Sequence, residues 1–220
     1  VTFAKGFTAA GVKAGIKKSG NLDVAVIYTK TKAAVAGTFT QNKVAAAPVY
    51  VSKEVVATGT AHAIVANAGC ANACTGQQGL DDAHKMAQIA ADELGVNADD
   101  VIVGSTGVIG VNLPMDKLEA GIKDAVTNLS ADGSDNAGRA IITTDTHSKS
   151  VTCEFELSGK TVRMGAIAKG SGMIRPNMAT MLCYITTDIA IDQALLQKAV
   201  SGCVEKSFNM ISVDGDMSTN

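Results

Sequence analysis

The chain of 220 residues contains no tryptophan, and aromatic residues make up only 4% of it. Packing in the core must therefore rely on small side chains, since aromatic rings normally supply much of the buried area. Histidine is also scarce, and the formal net charge is only −2. A chain so close to neutral lacks the basic surface typical of nucleic-acid-binding proteins, so we expect no nucleic-acid partner.

Long apolar runs are missing too, and none approaches the about 18 residues that indicate a membrane-spanning helix. The sequence contains no basic segment followed by an apolar segment, so no signal peptide is predicted. The five cysteines are odd in number and lack the spacing of a disulfide framework. Together these absences predict a protein of the reducing cytoplasm that has no membrane partner.

Hydrophobic periodicity predicts strands interspersed with helices. Strands are predicted at 23–28, 35–39, 47–52, 63–67, 101–103, 151–157, 161–168 and 181–185. A hairpin through 29–32 would join the first two strands, and Ser158-Gly159 would turn a second hairpin. Helices are predicted at 81–94, 114–129 and 191–208, with a polar turn at 130–136. This mixture predicts a layered α/β domain.

Thr180 stands between a glycine-rich loop and an apolar run that begins at Met181. A threonine hydroxyl is a weak nucleophile, but cleavage of the preceding peptide bond supplies the residue's own α-amine as a base. This solution suits a chain in which no histidine lies within thirty residues of Thr180. On spacing alone, a threonine whose hydroxyl is bonded to the backbone at a strand start is the commoner outcome.

Two further segments could carry chemistry. Glycines at both ends of Gly104–Gly110 would let backbone N–H groups or the Thr106 hydroxyl converge on one point, as an oxyanion hole requires. A tight turn explains the same spacing, and a phosphate loop is weaker because no lysine follows the glycines. Lys169, beside Gly170 and Gly172, could hold a substrate carboxylate, although a solvated surface lysine is commoner.

We expect no metal site. Cys70 and Cys74 are separated by three residues, and neither His62 nor His84 completes a zinc-binding pattern with them. Three other polar residues have simple explanations beside the chemical ones. Asp214 and Asp216 could bind a cation, but a polar turn explains them more simply. His147 could act as an acid-base group, but a single histidine after a threonine-rich segment is weak evidence for that role.

The run 169–182, KGSGMIRPNMATML, resembles the cleavage-site signature of the ornithine acetyltransferase family, the bifunctional glutamate N-acetyltransferases of arginine biosynthesis (arginine biosynthesis J). Other segments resemble blocks of that family in the same order, so the resemblance covers essentially the whole chain. These segments are 6–11, 37–42, 67–76, 104–110, 113–115, 142–146 and 213–220.

The resemblance implies a layered α-β-β-α sandwich of the α/β (α+β) class, shared with an autoprocessing aminopeptidase family. It implies self-cleavage between Ala179 and Thr180, which divides the folded unit into an α chain, 1–179, and a β chain from 180. Family members continue beyond residue 220, so 180–220 would be only the start of the β chain. A heterotetramer of two α and two β chains is also implied.

The implied reaction moves an acetyl group from N-acetylornithine to glutamate through an acetyl-Thr180 enzyme, without a cofactor. Acetyl-CoA serves some family members as a further acetyl donor. Thr106 and Gly107 match the oxyanion-stabilising pair and Lys169 matches a substrate-binding lysine. We assign Thr146 as a further substrate contact, with Thr144 as the competing assignment. The alternatives are an aminopeptidase-type N-terminal nucleophile hydrolase on the same fold and a non-catalytic small-molecule-binding domain.

Overall fold

The computed structural model describes residues 1–176 and 181–220, which form two β-sheets with packed helices. The strands are β1 (Phe7–Val12), β2 (Val24–Ala34), β3 (Thr60–Cys70), β4 (Val101–Val108), β5 (Lys149–Leu157), β6 (Lys160–Lys169) and β7 (Leu182–Thr187). The helices are α1 (Ala47–Thr58), α2 (Gly76–Leu94), α3 (Met115–Thr127), α4 (Ser134–Ile141) and α5 (Gln193–Glu205), with 3-10 turns at Ala98–Asp100 and Phe208–Met210. The predicted layered α/β class is confirmed. No helix within the described residues combines the length and apolar character needed to cross a membrane.

The first sheet has the order β1-β2-β3-β4 and is buried on both faces. Its first three strands are antiparallel, whereas β3 and β4 run parallel and are connected through helix α2. Because successive side chains alternate, Val24 and Val26 of β2 pack with Met86 of α2, while Ala25 and Ile27 belong to a second core. The parallel pair brings the ends of β3 and β4 to the same edge of the sheet.

The second sheet has the order β5-β6-β7 and is antiparallel throughout. The predicted hairpin at Ser158-Gly159 is confirmed, and both turn residues have positive φ, at 51° and 73°. Two positive φ angles are what a two-residue turn of type I′ requires. Strand β5 is the exposed edge of this sheet, with Val151 65% and Leu157 48% accessible.

The second core joins the two sheets. Ile167 of β6 and Tyr184 of β7 pack with the small residues on the inner face of the first sheet. Helix α4 adds Ala137, Ala140 and Ile141, which recur at three- and four-residue spacing and are fully buried. The sheets therefore approach closely through alanine-rich surfaces, as the scarcity of aromatic residues indicated.

The predicted strand at 35–39 and the hairpin through 29–32 are wrong. Strand β2 continues to Ala34, and after a register shift beyond Tyr28 it pairs Ala33 with Ala61 and Ala34 with Thr60. Since β3 already supplies the pairing partner for this end of β2, no local hairpin forms. Ala33 and Ala34 are not turn-forming residues, and their pairing partners lie more than 25 residues further along the chain. The local sequence pattern therefore could not predict this pairing.

Two helices were also assigned wrongly. The predicted strand at 47–52 is the start of α1, which carries Pro48 in its first turn and buries Val51 and Val55 one turn apart. The polar turn predicted at 130–136 runs into α4, which begins at Ser134. Short apolar runs fit either period, and only the tertiary surroundings decide between helix and strand.

Candidate active site

The parallel pair β3 and β4 ends in a close contact between two glycines. Gly69 lies opposite Gly107, and Ala68 lies opposite Thr106. Gly107 has a φ of 136°, and a Cβ added there would lie 2.4 Å from the carbonyl carbon of Gly69 and 2.6 Å from the amide nitrogen of Cys70. Both the backbone conformation and the space available therefore require glycine at position 107.

Most of the segment Gly104–Gly110 is strand rather than loop. Strand β4 continues to Val108, and the side chains of Ser105 and Thr106 are buried within it. The chain turns only afterwards, where the Gly110 amide donates to the Ala73 carbonyl at 2.9 Å. The tight turn expected from the spacing therefore begins later than predicted, and Thr106 is held on a rigid element.

Gly107→Ala in the full-length protein is expected to lower the free energy of unfolding by about 2–5 kcal/mol, because it combines a strained φ with a backbone clash. Gly202→Ala is the matched control, since an added Cβ there meets nothing within 4 Å on the exposed side of α5. This control should be neutral or more stable by up to about 1 kcal/mol. Chemical denaturation measures the free energy of unfolding of both variants. Equal values for Gly107→Ala and Gly202→Ala would contradict the close contact of Gly107 with Gly69 and Cys70.

Lys169 is a buried lysine at the end of β6. Its side chain is folded inward, the residue is only 3% exposed, and Nζ donates a hydrogen bond of 3.2 Å to the Thr106 hydroxyl. Burial lowers the pKa of Lys169 below its ordinary value, while the charge of Asp145 opposes the shift and that of Lys149 adds to it. The solvated surface lysine that was the commoner expectation is therefore wrong. Three predicted site residues, Lys169, Thr106 and Gly107, come together from two different sheets.

Asp145 is the neighbouring buried carboxylate, and it is 8% exposed. Its Oδ1 accepts hydrogen bonds from Lys149 Nζ and, at 2.8 Å, from the Gly170 amide. Burial alone would raise the pKa of Asp145, but these hydrogen bonds and the charges of Lys149 and Lys169 hold it below its ordinary value. Sequence reasoning missed Asp145. Its only signal was a lysine four residues later, Lys149, and the candidate contacts in this segment were assigned to Thr144 and Thr146 instead.

Thr144 and Thr146 are both exposed but have different partners. The Thr144 hydroxyl lies 2.7 Å from the Ser171 hydroxyl, in the loop that follows Lys169. The Thr146 hydroxyl lies 3.1 Å from Nδ1 of its neighbour His147. The competing assignment, Thr144, is thus the one tied to the Lys169 loop.

Ala179 and Thr180 lie outside the described residues, so the predicted cleavage site has no geometry here. The description ends at Pro176 and resumes at Met181. Strand β7 pairs with β6 in a register that sets Leu182 opposite Lys169. The described start of β7 therefore lies beside the lysine that contacts Thr106.

Residues 217–220 are hydrogen-bonded to three separate parts of the chain. The Asn220 side-chain amide donates to the carbonyls of Ala71, at 2.6 Å, and Ser105, at 2.8 Å. The Thr40 hydroxyl donates to the Ser218 carbonyl at 2.9 Å. The blocks 37–42 and 213–220, which resembled family blocks separately, are therefore hydrogen-bonded to each other, and Asn220 fixes the residue before Thr106.

The cysteines and histidines considered for metal binding have other surroundings. Cys70 is buried, and its thiol donates to the Val111 carbonyl at 3.2 Å, whereas Cys74 is exposed. His62 Nδ1 lies 3.0 Å from the Thr29 carbonyl oxygen. Across residues 1–176 and 181–220, no three histidine, cysteine, aspartate or glutamate side chains are grouped so that they could hold a metal ion.

The carboxylate of Asp214 organises a turn. It accepts hydrogen bonds from the amides of Met173, at 2.5 Å, and Ile174, at 3.0 Å, and the first of these is the main cause of a lowered pKa. The amide of Asp216 also donates to Asp214, at 3.3 Å. These bonds fit the polar turn and also connect residues 214–216 to the loop after Lys169.

The family follows from comparison with known proteins. Residues 8–220 match the model of the ArgJ family. The chain belongs to the ArgJ family. The arginine biosynthesis bifunctional protein ArgJ of Symbiobacterium thermophilum is 51% identical over 222 residues, which is 100% of this chain and 55% of that relative. This ArgJ chain thus spans about half the length of the curated relatives that it matches.

Two solved structures of similar proteins have the same fold. The arginine biosynthesis bifunctional protein ArgJ from Bacillus halodurans is 43% identical, with a TM-score of 0.76 over 81% of this chain and 94% of that chain. Ornithine acetyltransferase from Mycobacterium tuberculosis, complexed with ornithine, is 40% identical, with a TM-score of 0.73 over 83% and 95%. These similarities confirm the family and fold implied by the sequence.

A more distant structure bears on the aminopeptidase alternative. The L-aminopeptidase D-Ala-esterase/amidase from Ochrobactrum anthropi, described as a variant of the Ntn hydrolase fold, has a TM-score of 0.58 and 14% identity over 100% of this chain and 73% of that chain. The predicted likeness to an aminopeptidase fold is confirmed. At this level of identity the likeness concerns the fold alone, and it gives no support to aminopeptidase activity in an ArgJ chain.

Proposed function

We propose that the full-length protein is a self-cleaving glutamate N-acetyltransferase that moves an acetyl group from N-acetylornithine to glutamate through an acetyl-Thr180 enzyme. The observation that carries the proposal is the hydrogen bond from buried Lys169 to the Thr106 hydroxyl, beside Gly107 and opposite the start of β7. Membership of the ArgJ family supports the reaction class. The ornithine bound in the Mycobacterium tuberculosis relative supports the substrate class.

In the proposed cleavage, the Thr180 hydroxyl attacks the carbonyl carbon of Ala179. The peptide C–N bond breaks as the acyl group moves to oxygen, and water then hydrolyses the ester. The products are an α chain ending at Ala179 and a β chain whose first residue has a free α-amine. We propose that they remain associated and that two α and two β chains form a heterotetramer.

In the proposed transfer, the new α-amine, with an ordinary pKa of about 8, accepts the proton of the Thr180 hydroxyl. The oxygen attacks the acetyl carbonyl of N-acetylornithine, and ornithine leaves after its amine receives the proton. The amine of glutamate then attacks the acetyl ester and restores the hydroxyl. A covalent acetyl-enzyme requires ping-pong kinetics, with parallel lines for the two substrates.

The remaining site residues have roles that follow from charge and position. We assign stabilisation of the tetrahedral oxyanion to Thr106 and Gly107. Lys169 would bind a substrate carboxylate, because a buried ammonium interacts strongly with an anion when water is excluded. Thr146, or the competing Thr144, would make a further substrate contact.

The reaction as proposed needs no cofactor, because acyl transfer from an amide to a hydroxyl and on to an amine changes no oxidation state. Acetyl-CoA, a thioester, is proposed as an additional donor to Thr180. We propose the cytoplasm as the compartment, on the grounds of the odd number of cysteines without disulfide spacing.

Intact-mass analysis of the full-length protein, before and after incubation with N-acetylornithine, tests this function directly. We expect two chains divided between Ala179 and Thr180, with the mass of one acetyl group added to the β chain after incubation. A divided protein that never acquires the acetyl group would favour hydrolase chemistry. An intact bond between Ala179 and Thr180 in freshly purified protein would favour a non-catalytic binding domain.

A further inference from the structure

Asp145 anchors the backbone from which Lys169 extends. The Gly170 amide that donates to Asp145 belongs to the residue directly after Lys169, so the carboxylate fixes the end of β6. Lys149, at the start of the neighbouring strand β5, donates to the same carboxylate oxygen. The second oxygen, Oδ2, is buried and has no hydrogen-bond partner within the part of the chain that the structure describes.

We propose that Asp145 is a positioning residue for acetyl transfer: its bond to the Gly170 amide holds the end of β6, and its negative charge keeps the Lys169 ammonium charged against the Thr106 hydroxyl. The inference rests on the substrate-binding role proposed for Lys169. Burying a carboxylate costs free energy unless hydrogen bonds compensate it. Here one bond to Oδ1 comes from Gly170, directly after Lys169, and the other from Lys149 of β5, which pairs with Ala168. A neutral side chain could fill the same space without desolvating a charge.

The charges around Lys169 also support a role for Asp145 in keeping the Lys169 ammonium charged. Asp145 is the negative charge that opposes the effect of burial on Lys169, whereas Lys149 strengthens that effect. Half-buried Lys17, whose pKa is lowered chiefly by burial, also interacts electrostatically with Asp23, Asp145 and Lys169. Three lysines therefore surround one carboxylate, and removing its charge should make the Lys169 ammonium easier to deprotonate.

Asp145→Asn in the full-length protein tests this role, because asparagine keeps the size and an acceptor for the Gly170 amide while removing the charge. Lys169 must be charged to bind a carboxylate, so activity is lost as the pH rises through its pKa. Lowering that pKa should move the alkaline limb of the kcat/KM profile to lower pH by about one unit, with KM rising more than kcat falls. Lys149→Gln removes a like charge and should move the same limb to higher pH.

Opposite displacements in the two variants would support the proposal, because a general loosening of the structure would not move the limb in opposite directions. If Asp145→Asn does not fold, Asp145→Glu replaces it, because glutamate keeps the charge but displaces the carboxylate from the Gly170 amide; an unchanged KM in that folded variant overturns the proposal. Limbs unmoved in both folded variants, beside an active wild type, overturn this inference but leave the acetyltransferase function intact. A wild type without acetyl transfer overturns both.

Discussion

Thr180→Ala is expected to leave the full-length protein as one uncut chain without acetyl-transfer activity. The same hydroxyl is proposed to attack Ala179 during cleavage and the acetyl donor during turnover, so its removal abolishes both steps. Loss of a covalent nucleophile lowers kcat by about 10⁶-fold in enzymes where it has been measured, which would place the variant at the detection limit. Intact mass and an ornithine-release assay measure the two losses separately.

Thr180→Ser is the matched control, since it keeps a hydroxyl on the same backbone. It should still divide the chain and retain part of the activity, because serine is a competent nucleophile beside a free α-amine. A Thr180→Ala protein that is cut between the same two residues would refute self-cleavage by this side chain. A cut and active alanine variant would refute the acetyl-enzyme as well.

The parts of the fold that could be predicted are those with strong local signals. Strand β5 has an alternating pattern that is followed directly by the Ser158-Gly159 turn. Helix α2 has an amphipathic pattern that is followed directly by Gly95. Helix α1 and the far end of β2 lacked such signals. Their conformation is decided by pairing with β3 and by packing against β4, which a local pattern does not contain.

The candidate site divides in the same way. Glycine at position 107 and lysine at position 169 could be singled out as residue types, and the family signature indicated Thr180. Burial could not be predicted, because it depends on two sheets meeting, and burial is what makes Lys169 chemically unusual. Asp145 could not be found for the same reason, since its importance comes from its contacts with Gly170 and Lys149.

The hydrogen bond between Lys169 and Thr106 also couples two proposed functions that are usually considered separately. Thr106 is proposed to stabilise the oxyanion, while Lys169 is proposed to bind a carboxylate. Because the Lys169 ammonium donates to the Thr106 hydroxyl oxygen, that hydroxyl keeps its own proton free to donate to a developing oxyanion. A change at Thr106 should therefore affect both the rate and substrate binding.

Thr106→Val is expected to lower kcat by about 10²–10³-fold, the usual cost of losing one oxyanion donor. Valine has nearly the same shape, so the buried strand β4 should keep its packing. The substitution also leaves the buried Lys169 ammonium without its hydroxyl acceptor, which should lower the pKa of Lys169 further and raise KM at alkaline pH. Steady-state kinetics at neutral and alkaline pH separate the two effects, and cleavage of the precursor should slow in parallel.

Ser105→Ala provides the control from the adjacent position. The Ser105 hydroxyl is buried and has no hydrogen-bond partner among the residues that the structure describes, so its removal should change kcat by less than about threefold and leave stability unchanged or slightly higher. Asn220 binds the Ser105 backbone carbonyl, which alanine retains. A Thr106→Val enzyme with the kcat of Ser105→Ala would exclude the Thr106 hydroxyl from the oxyanion site. That result would leave backbone N–H groups near Gly107 as the donors to test next.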